Sequence, residues 1–300
     1  MGNQVTHFFP PHPPSPRTVP DLSAKVYIVT GASSGIGEQV AYIPYLKNTK
    51  VYTAARSESK ASAAITRIKA RKTFLNEKDR LDILFSNAGV MLGPQSAGSK
   101  TAQGYEVELG TNCIGPFHFT KLLRPILVQT AKTAPADSVR IVWVSSNSAE
   151  NNSPKNGIDM SNLDYHIDKS GPMKYGISKA VNIFDSSEFA RRTKGEGIIS
   201  VALHPGALKS DLNLHTPAWL LFLAGWILKK PIYGAYTEIF AGMSPEIDAS
   251  RSGCYIIPWG KFYVELRKGM VVAQMGEDKG GTGVAGMFWE WCEEQVKDYA

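Results

Sequence analysis

Cysteine is scarce in this chain: Cys113, Cys254 and Cys292 are all it has in 300 residues. A scattered, odd-numbered set excludes a disulfide framework and lacks metal-ligand spacing, and it fits a reducing compartment. No block of like charge occurs either. Its 33 lysines and arginines against 27 acids leave a formal +6 distributed along the chain. That pattern excludes a nucleic-acid-binding tail and asks for nothing more anionic than a phosphate-bearing small molecule. Long hydrophobic runs are also missing. The stretch "PAWLLFLAGWIL" at 217–228 holds a dozen residues, short of the roughly 20 that span a bilayer. It reads as a buried helix or a substrate lid near 211–232, with interfacial membrane contact as the alternative. The N-terminus, "MGNQVTHFFPPHPPSPRTVP", has no apolar core of the signal-peptide kind. It is read as an extended arm, 1–20, ahead of one domain, 21–300. Its first six residues satisfy the loose M-G-x-x-x-[ST] myristoylation pattern. The expected location is cytoplasmic, with membrane association and oligomerisation left open.

What is present is ordinary for a globular protein, with 43% hydrophobic and 20% charged residues, so disordered and fibrous classes drop out. Short β-branched runs alternate with helical patterns, the signature of βαβ units around a parallel sheet. Strands are expected at 25–30, 50–55, 81–86, 140–145, 198–203 and 253–258, and helices at about 35–47, 58–71, 102–131, 173–194 and 286–297.

Two stretches carry chemistry. "TGASSGIG" follows the first strand and opens the first helix, where a pyrophosphate can approach the backbone and meet the positive end of the helix dipole. Its spacing, Gly31-x-x-x-Gly35-x-Gly37, departs from G-x-G-x-x-G, and alone it would also suit a plain glycine/serine turn. In "MKYGISKAVNIF", 173–184, Lys179 stands one helical turn after Tyr175. A cation on the same face favours tyrosinate and lowers a pKa that is ordinarily about 10. As an isolated pair, the two would equally decorate a solvated helix face.

Taken together, the motifs resemble the short-chain dehydrogenase/reductase family. T-G-x-x-x-G-x-G is followed in order by "SNAG" at 86–89, Asn112 in "TNCIGPF", "VSS" at 144–146, "YGISK" at 175–179 and "HPG" at 204–206. The loop before Tyr175 and the ending "FWEWCEEQV" are similar to retinol-dehydrogenase-like fungal members. The resemblance implies a Rossmann-like doubly wound fold and a catalytic set of Asn112, Ser146, Tyr175 and Lys179, with Ser145 as the competing serine. For the cofactor it implies Gly31, Ser33, Ser34, Gly35, Ile36 and Gly37 of the turn, Asn87, Ala88 and Gly89, and Pro205, Gly206, Leu208 and Ser210, besides Tyr175 and Lys179. In "TAARSESK" the second strand ends on Arg56, with no acid at the strand end. An arginine there accommodates a 2′-phosphate, so NADP(H) is expected ahead of NAD(H), unless Arg56 is merely solvated.

The pattern also breaks. Only 24 residues separate Arg56 from Leu81, whereas the family's helix, strand and helix need roughly 40. The third, edge strand and its adenine-contacting aspartate are therefore expected to be missing, leaving the order 2-1-4-5-6. Ser86 also replaces the family's first asparagine. The resulting expectation is an NADP(H)-dependent oxidoreductase interconverting hydroxyl and carbonyl on a small lipophilic substrate. The alternative is a non-catalytic dinucleotide-binding or scaffold protein.

Overall fold

The structure is a computed structural model that describes residues 19–55, 57, 59–60, 64, 80–93, 98–209 and 228–299. The β-branched runs form the strands β1 (Val26–Thr30), β2 (Lys50–Ala54), β3 (Ile83–Ser86), β4 (Val139–Val144), β5 (Ile198–Leu203) and β6 (Tyr255–Ile257), joined by β7 (Lys261–Phe262). They make one sheet in the order β2-β1-β3-β4-β5-β6-β7. Its pairs are parallel from β2 to β6, and β7 closes it antiparallel to β6. Every residue of β3, β4 and β5 is buried, as a parallel sheet covered on both faces requires.

The helices divide between the faces. On one side lie α1 (Gly35–Tyr45) and α4 (Pro231–Met243), packed on Val29, Phe85, Val142 and Val201. On the other lie α2 (Gly115–Ala131), α3 (Gly171–Arg192) and α6 (Val284–Val296), which close over Leu84, Ile141 and Trp143, with Phe184 of α3 in the same core. Between β7 and α6 runs the short α5 (Lys268–Gln274). Phe184 is fully buried, and its truncation to alanine would cost about 3–5 kcal/mol. On α6, Trp289 packs edge-on against Phe117 at 4.7 Å, and the Arg192 guanidinium lies 5.1 Å over its ring. This contact fixes α6 across α2 and α3.

Two buried ions anchor the ends of strands. Asp82, just before β3, accepts from the Val26 amide at 2.9 Å, from Lys25 at 3.0 Å and from Arg80 at 2.7 and 2.8 Å. Burial alone would raise its pKa, but these bonds outweigh it and hold the carboxyl below its usual range. Arg140 of β4 donates to the carbonyls of Ala241, Ser244 and Ile247. It thereby satisfies the C-terminal end of α4 and ties that helix to the sheet.

The expected order 2-1-4-5-6, in family numbering, corresponds to β2-β1-β3-β4-β5, to which β6 and β7 are added; the interval where the third strand is expected to be missing lies mostly outside the described residues. Among the described residues β2 pairs on one side only, with β1. The expected helix at 58–71 falls mostly outside the described residues, as do the arm at 1–18 and the lid run at 211–227. Of the lid expected near 211–232, only 228–232 are described. Lys229 bridges back to Leu208 in parallel register, and Pro231 opens α4, where its fixed φ suits the first helical turn. The single helix expected at 102–131 is also corrected. Helical structure begins at Val107, passes through a π-helical segment at Gly110–Ile114, and continues as α2. No described helix is long and apolar enough to cross a membrane.

Candidate active site

The carboxyl ends of β1, β3, β4 and β5 open onto a cavity of about 310 Å³ lined by Ile36, Asn87, Gly89, Met91, Val144, Ser145, Ser146, Tyr175, Lys179, Pro205, Gly206, Ala207, Leu208 and Leu228. A crevice outside the strand ends is where open α/β sheets bind ligands.

Its first wall is the turn after β1. Gly31 donates to Ala54 at 2.7 Å, which sets the turn beside the end of β2. Ser33 lies in that turn, and Ser34 is the extended N-cap residue of α1. Gly35 has a φ of +59°, and a Cβ placed on it would meet nothing within 4 Å. The conformation favours glycine, and the space beside it is room for a ligand at the N-terminus of an 11-residue helix. At Gly37 the constraint is contact: a Cβ would fall 2.4 Å from Asn87 Nδ2 and 2.6 Å from the Gly31 carbonyl. Asn87 in turn donates to the Thr30 carbonyl at 2.9 Å. Turn, helix and the segment after β3 therefore form one fitted unit.

The second wall comes from α3. Gly176 allows the helix to press against the backbone of Ser148 and Asn152, where a Cβ would sit 2.8 Å from both. That approach delivers Tyr175 and Lys179 to the ends of β4 and β5. Lys179 is 3% exposed and donates to the Val144 carbonyl at 3.0 Å, a carbonyl shared with Asn182 at 3.1 Å. Burial pushes the Lys179 ammonium down to about 8, opposed by the charges of Cys113, Glu108 and Glu238. Burial also pushes the Tyr175 hydroxyl up to about 12; the Ser146 side chain hydrogen-bonds it and works the other way, and Glu108 adds to the rise. The expected lowering of Tyr175 by Lys179 is thus not what this geometry produces. The ammonium lies 5.7 Å from the Tyr175 ring centroid, and desolvation outweighs it.

The two serines separate. Ser145 donates to the Lys179 carbonyl at 2.6 Å, whereas Ser146 faces Tyr175 and accepts from the Ser148 amide at 3.2 Å. Asn112, fully buried within the π-helical segment, does not line the cavity. It accepts from the Val90 amide and donates to the Val90 carbonyl, both at 2.8 Å, and donates to Ser178 Oγ at 3.0 Å. Between Asn112 and the lysine a side chain at position 89 would be crowded, because a Cβ there would stand 3.1 Å from Lys179 Nζ and 3.3 Å from Asn112 Oδ1.

On the last wall, Pro205, Gly206 and Leu208 follow β5, and Trp259 backs Gly206. Ala88 donates to Thr30 Oγ1 at 2.9 Å. Arg56 and Ser210 lie outside the described residues. Sequence reasoning missed Met91, Ala207 and Leu228, which add apolar surface, and Glu108. The last stands one turn before Asn112, and that spacing is its one legible signal.

No family model matches the chain. Curated proteins do. A short-chain dehydrogenase/reductase of Phomopsis amygdali is 47% identical, over all of this chain and 98% of its own. The short-chain dehydrogenase/reductase bet4 of Neocamarosporium betae is 40% identical, over all of this chain and 94% of its own. The first alignment spans 331 positions against 300 residues here, so about 30 of its positions have no counterpart in this chain. Among solved structures, the Brucella melitensis 3-ketoacyl-(acyl-carrier-protein) reductase complexed with NADH superposes with a TM-score of 0.60. It is 22% identical and covers 80% of this chain and 98% of that one. The Pseudomonas aeruginosa RhlG/NADP active-site complex gives a TM-score of 0.59 at 24% identity, with coverage of 80% and 96%. The doubly wound sheet agrees with these folds, and full-length identity to fungal relatives places the chain in the short-chain dehydrogenase/reductase family.

Proposed function

We propose that this protein is an NADP(H)-dependent oxidoreductase that interconverts a hydroxyl and a carbonyl on a small lipophilic molecule. The observation that carries the reading is the convergence of Tyr175, Ser146 and Lys179 on one cavity with the glycine turn at its other end. The residues present fit a dinucleotide. Open space beside Gly35 at the α1 N-terminus suits a pyrophosphate, and Asn87, Gly89, Pro205, Gly206 and Leu208 line the cleft. A bound nicotinamide would supply or accept the hydride. Tyr175 holds a proton through the neutral range and is placed to give it to a substrate oxygen. Ser146 is the serine free to bond that oxygen, since Ser145 is turned to the α3 backbone. Asn112 holds the segment behind the lysine. Met91, Ala207, Leu208 and Leu228 give the cavity an apolar lining, which favours a lipophilic substrate.

The preference for a 2′-phosphate rests on the end of β2. Ala54 is bonded to the turn, and the chain continues as Ala55-Arg56 without an acid. Purified protein titrated with NADPH and NADH, then assayed for oxidation of NADPH with a panel of lipophilic ketones, tests the reading. Binding without turnover of any ketone or alcohol would leave a dinucleotide-binding scaffold instead.

A further inference from the structure

After β3 the chain runs through Asn87–Leu92, and its backbone is held in alternation. The amide of Ala88 donates to Thr30 Oγ1 at 2.9 Å, that of Val90 to Asn112 Oδ1 at 2.8 Å, and that of Leu92 to Glu108 Oε1 at 2.8 Å. The intervening residues, Asn87, Gly89 and Met91, are the ones that line the cavity. In an extended chain successive residues face opposite ways. Anchoring every second amide fixes the rotation of the segment about its own axis, and with it which residues face the cleft. Three side-chain oxygens perform this, one at the end of β1 and two on the helical stretch that leads into α2, in a segment that pairs with no strand among the described residues.

Glu108 supplies the last of the three and is 1% exposed. It stands one turn before Asn112, so both side chains reach the same segment from one face. The groups around it are Glu106 on its own turn, Cys113 in the π-helical segment, Lys174, Tyr175 and Lys179 on α3, and Tyr165 in the loop before α3. Lys174 is engaged by Asp168 at 2.7 Å, which leaves the Leu92 amide as the described hydrogen-bond partner of the Glu108 carboxyl.

We propose that Glu108 is a positioning residue for the reaction: it completes the clamp that turns Asn87, Gly89 and Met91 into the cofactor and substrate cleft. This rests on the reading of the cleft given above. What the clamp requires of position 108 is an acceptor oxygen of the right reach, and a negative charge is not needed. Glutamine therefore satisfies it, whereas methionine keeps the volume without the acceptor.

The test compares Glu108→Gln, Glu108→Met and Glu108→Ala with the unsubstituted protein. Hydrogen exchange over residues 87–92 is followed without dinucleotide, and NADPH affinity is measured separately. Exchange in the segment should quicken at least about tenfold in the methionine and alanine variants, since one amide bond of the clamp is lost. NADPH binding should weaken by a similar factor, and glutamine should restore both. Protection unchanged by methionine, or a glutamine variant as damaged as the methionine one, would overturn the proposal. So would quickened exchange with NADPH affinity untouched, because the clamp would then be structural only. Failure of the unsubstituted protein to bind NADPH would overturn the reading of the cleft itself. That failure is told apart from failure of the clamp because exchange is measured with no dinucleotide present.

Discussion

The Lys179 ammonium and the Val144 carbonyl are joined at 3.0 Å inside the sheet's carboxyl edge. This bond fixes the lysine where it lines the cavity, with its ammonium 5.7 Å from the Tyr175 ring centroid. Replacement by methionine removes a buried cation that faces Glu108 and Glu238 and a donor that lines the cavity. Lys179→Met is expected to lower both turnover and NADPH affinity, each by about tenfold or more, since charge-assisted bonds contribute about 1.5–3 kcal/mol. Isothermal titration alongside steady-state rates checks it, and normal affinity would refute the lysine's role at the cofactor.

Tyr175→Phe removes the proton and keeps the ring. Turnover should fall by about 10² to 10⁴-fold, the usual contribution of a general acid or base, with NADPH affinity within about twofold of the original. The pH dependence has a definite sign. Because burial keeps Tyr175 protonated through neutrality, carbonyl reduction should be flat from about pH 6 to 8. Alcohol oxidation, which needs the tyrosinate, should rise with pH over the same range. Rates in the two directions that changed together would exclude this assignment.

Glu238 on α4 is fully buried, and neither carboxyl oxygen has a hydrogen-bond partner. Burial pushes its pKa up to about 8, with Lys179 opposing. A folded pKa raised above the unfolded value means that the unfolded chain releases this proton first. The stability tied to the protonated form is intact below about pH 4.5 and is lost as pH rises towards about 8, at a cost on the order of a few kcal/mol. Glu238→Gln should therefore raise the melting temperature at pH 8.5 by clearly more than at pH 5. An equal change at both values would show that Glu238 is ionised and paired in solution.

The sheet was legible because β3, β4 and β5 are uninterrupted apolar runs between glycine turns, and buried parallel strands look like that. The motif residues were legible because their order along the chain matches the order of the strand ends. Helix α4 was not. Its two glycines, Gly234 and Gly242, lie close against Leu208 and Phe85, and Glu238 interrupts its apolar face, so its pattern reads as neither strand nor amphipathic helix. The π-helical segment was hidden too, since nothing in "GTNCI" betrays that Asn112 bonds Val90 across the turn. Such bulges gather at functional sites, and the tertiary bond, rather than local propensity, sets this one. Glu108 was not legible either, because only the packed structure brings the Leu92 amide to it.

On the proposal that Arg56, two residues beyond the end of β2, accepts the 2′-phosphate, Arg56→Asp should narrow or invert the dinucleotide preference. An affinity for NADPH that is unaltered by the aspartate would remove Arg56 from the cofactor site.

The most direct measurement is a titration of the unsubstituted protein with NADPH and NADH, followed by quenching of its tryptophan fluorescence at two salt concentrations. Saturable binding of both is expected, with NADPH tighter by about tenfold or more and weakened more by salt, as a phosphate contact requires. Equal affinities would contradict the 2′-phosphate site, and no saturable binding of either would contradict the assignment of the cleft.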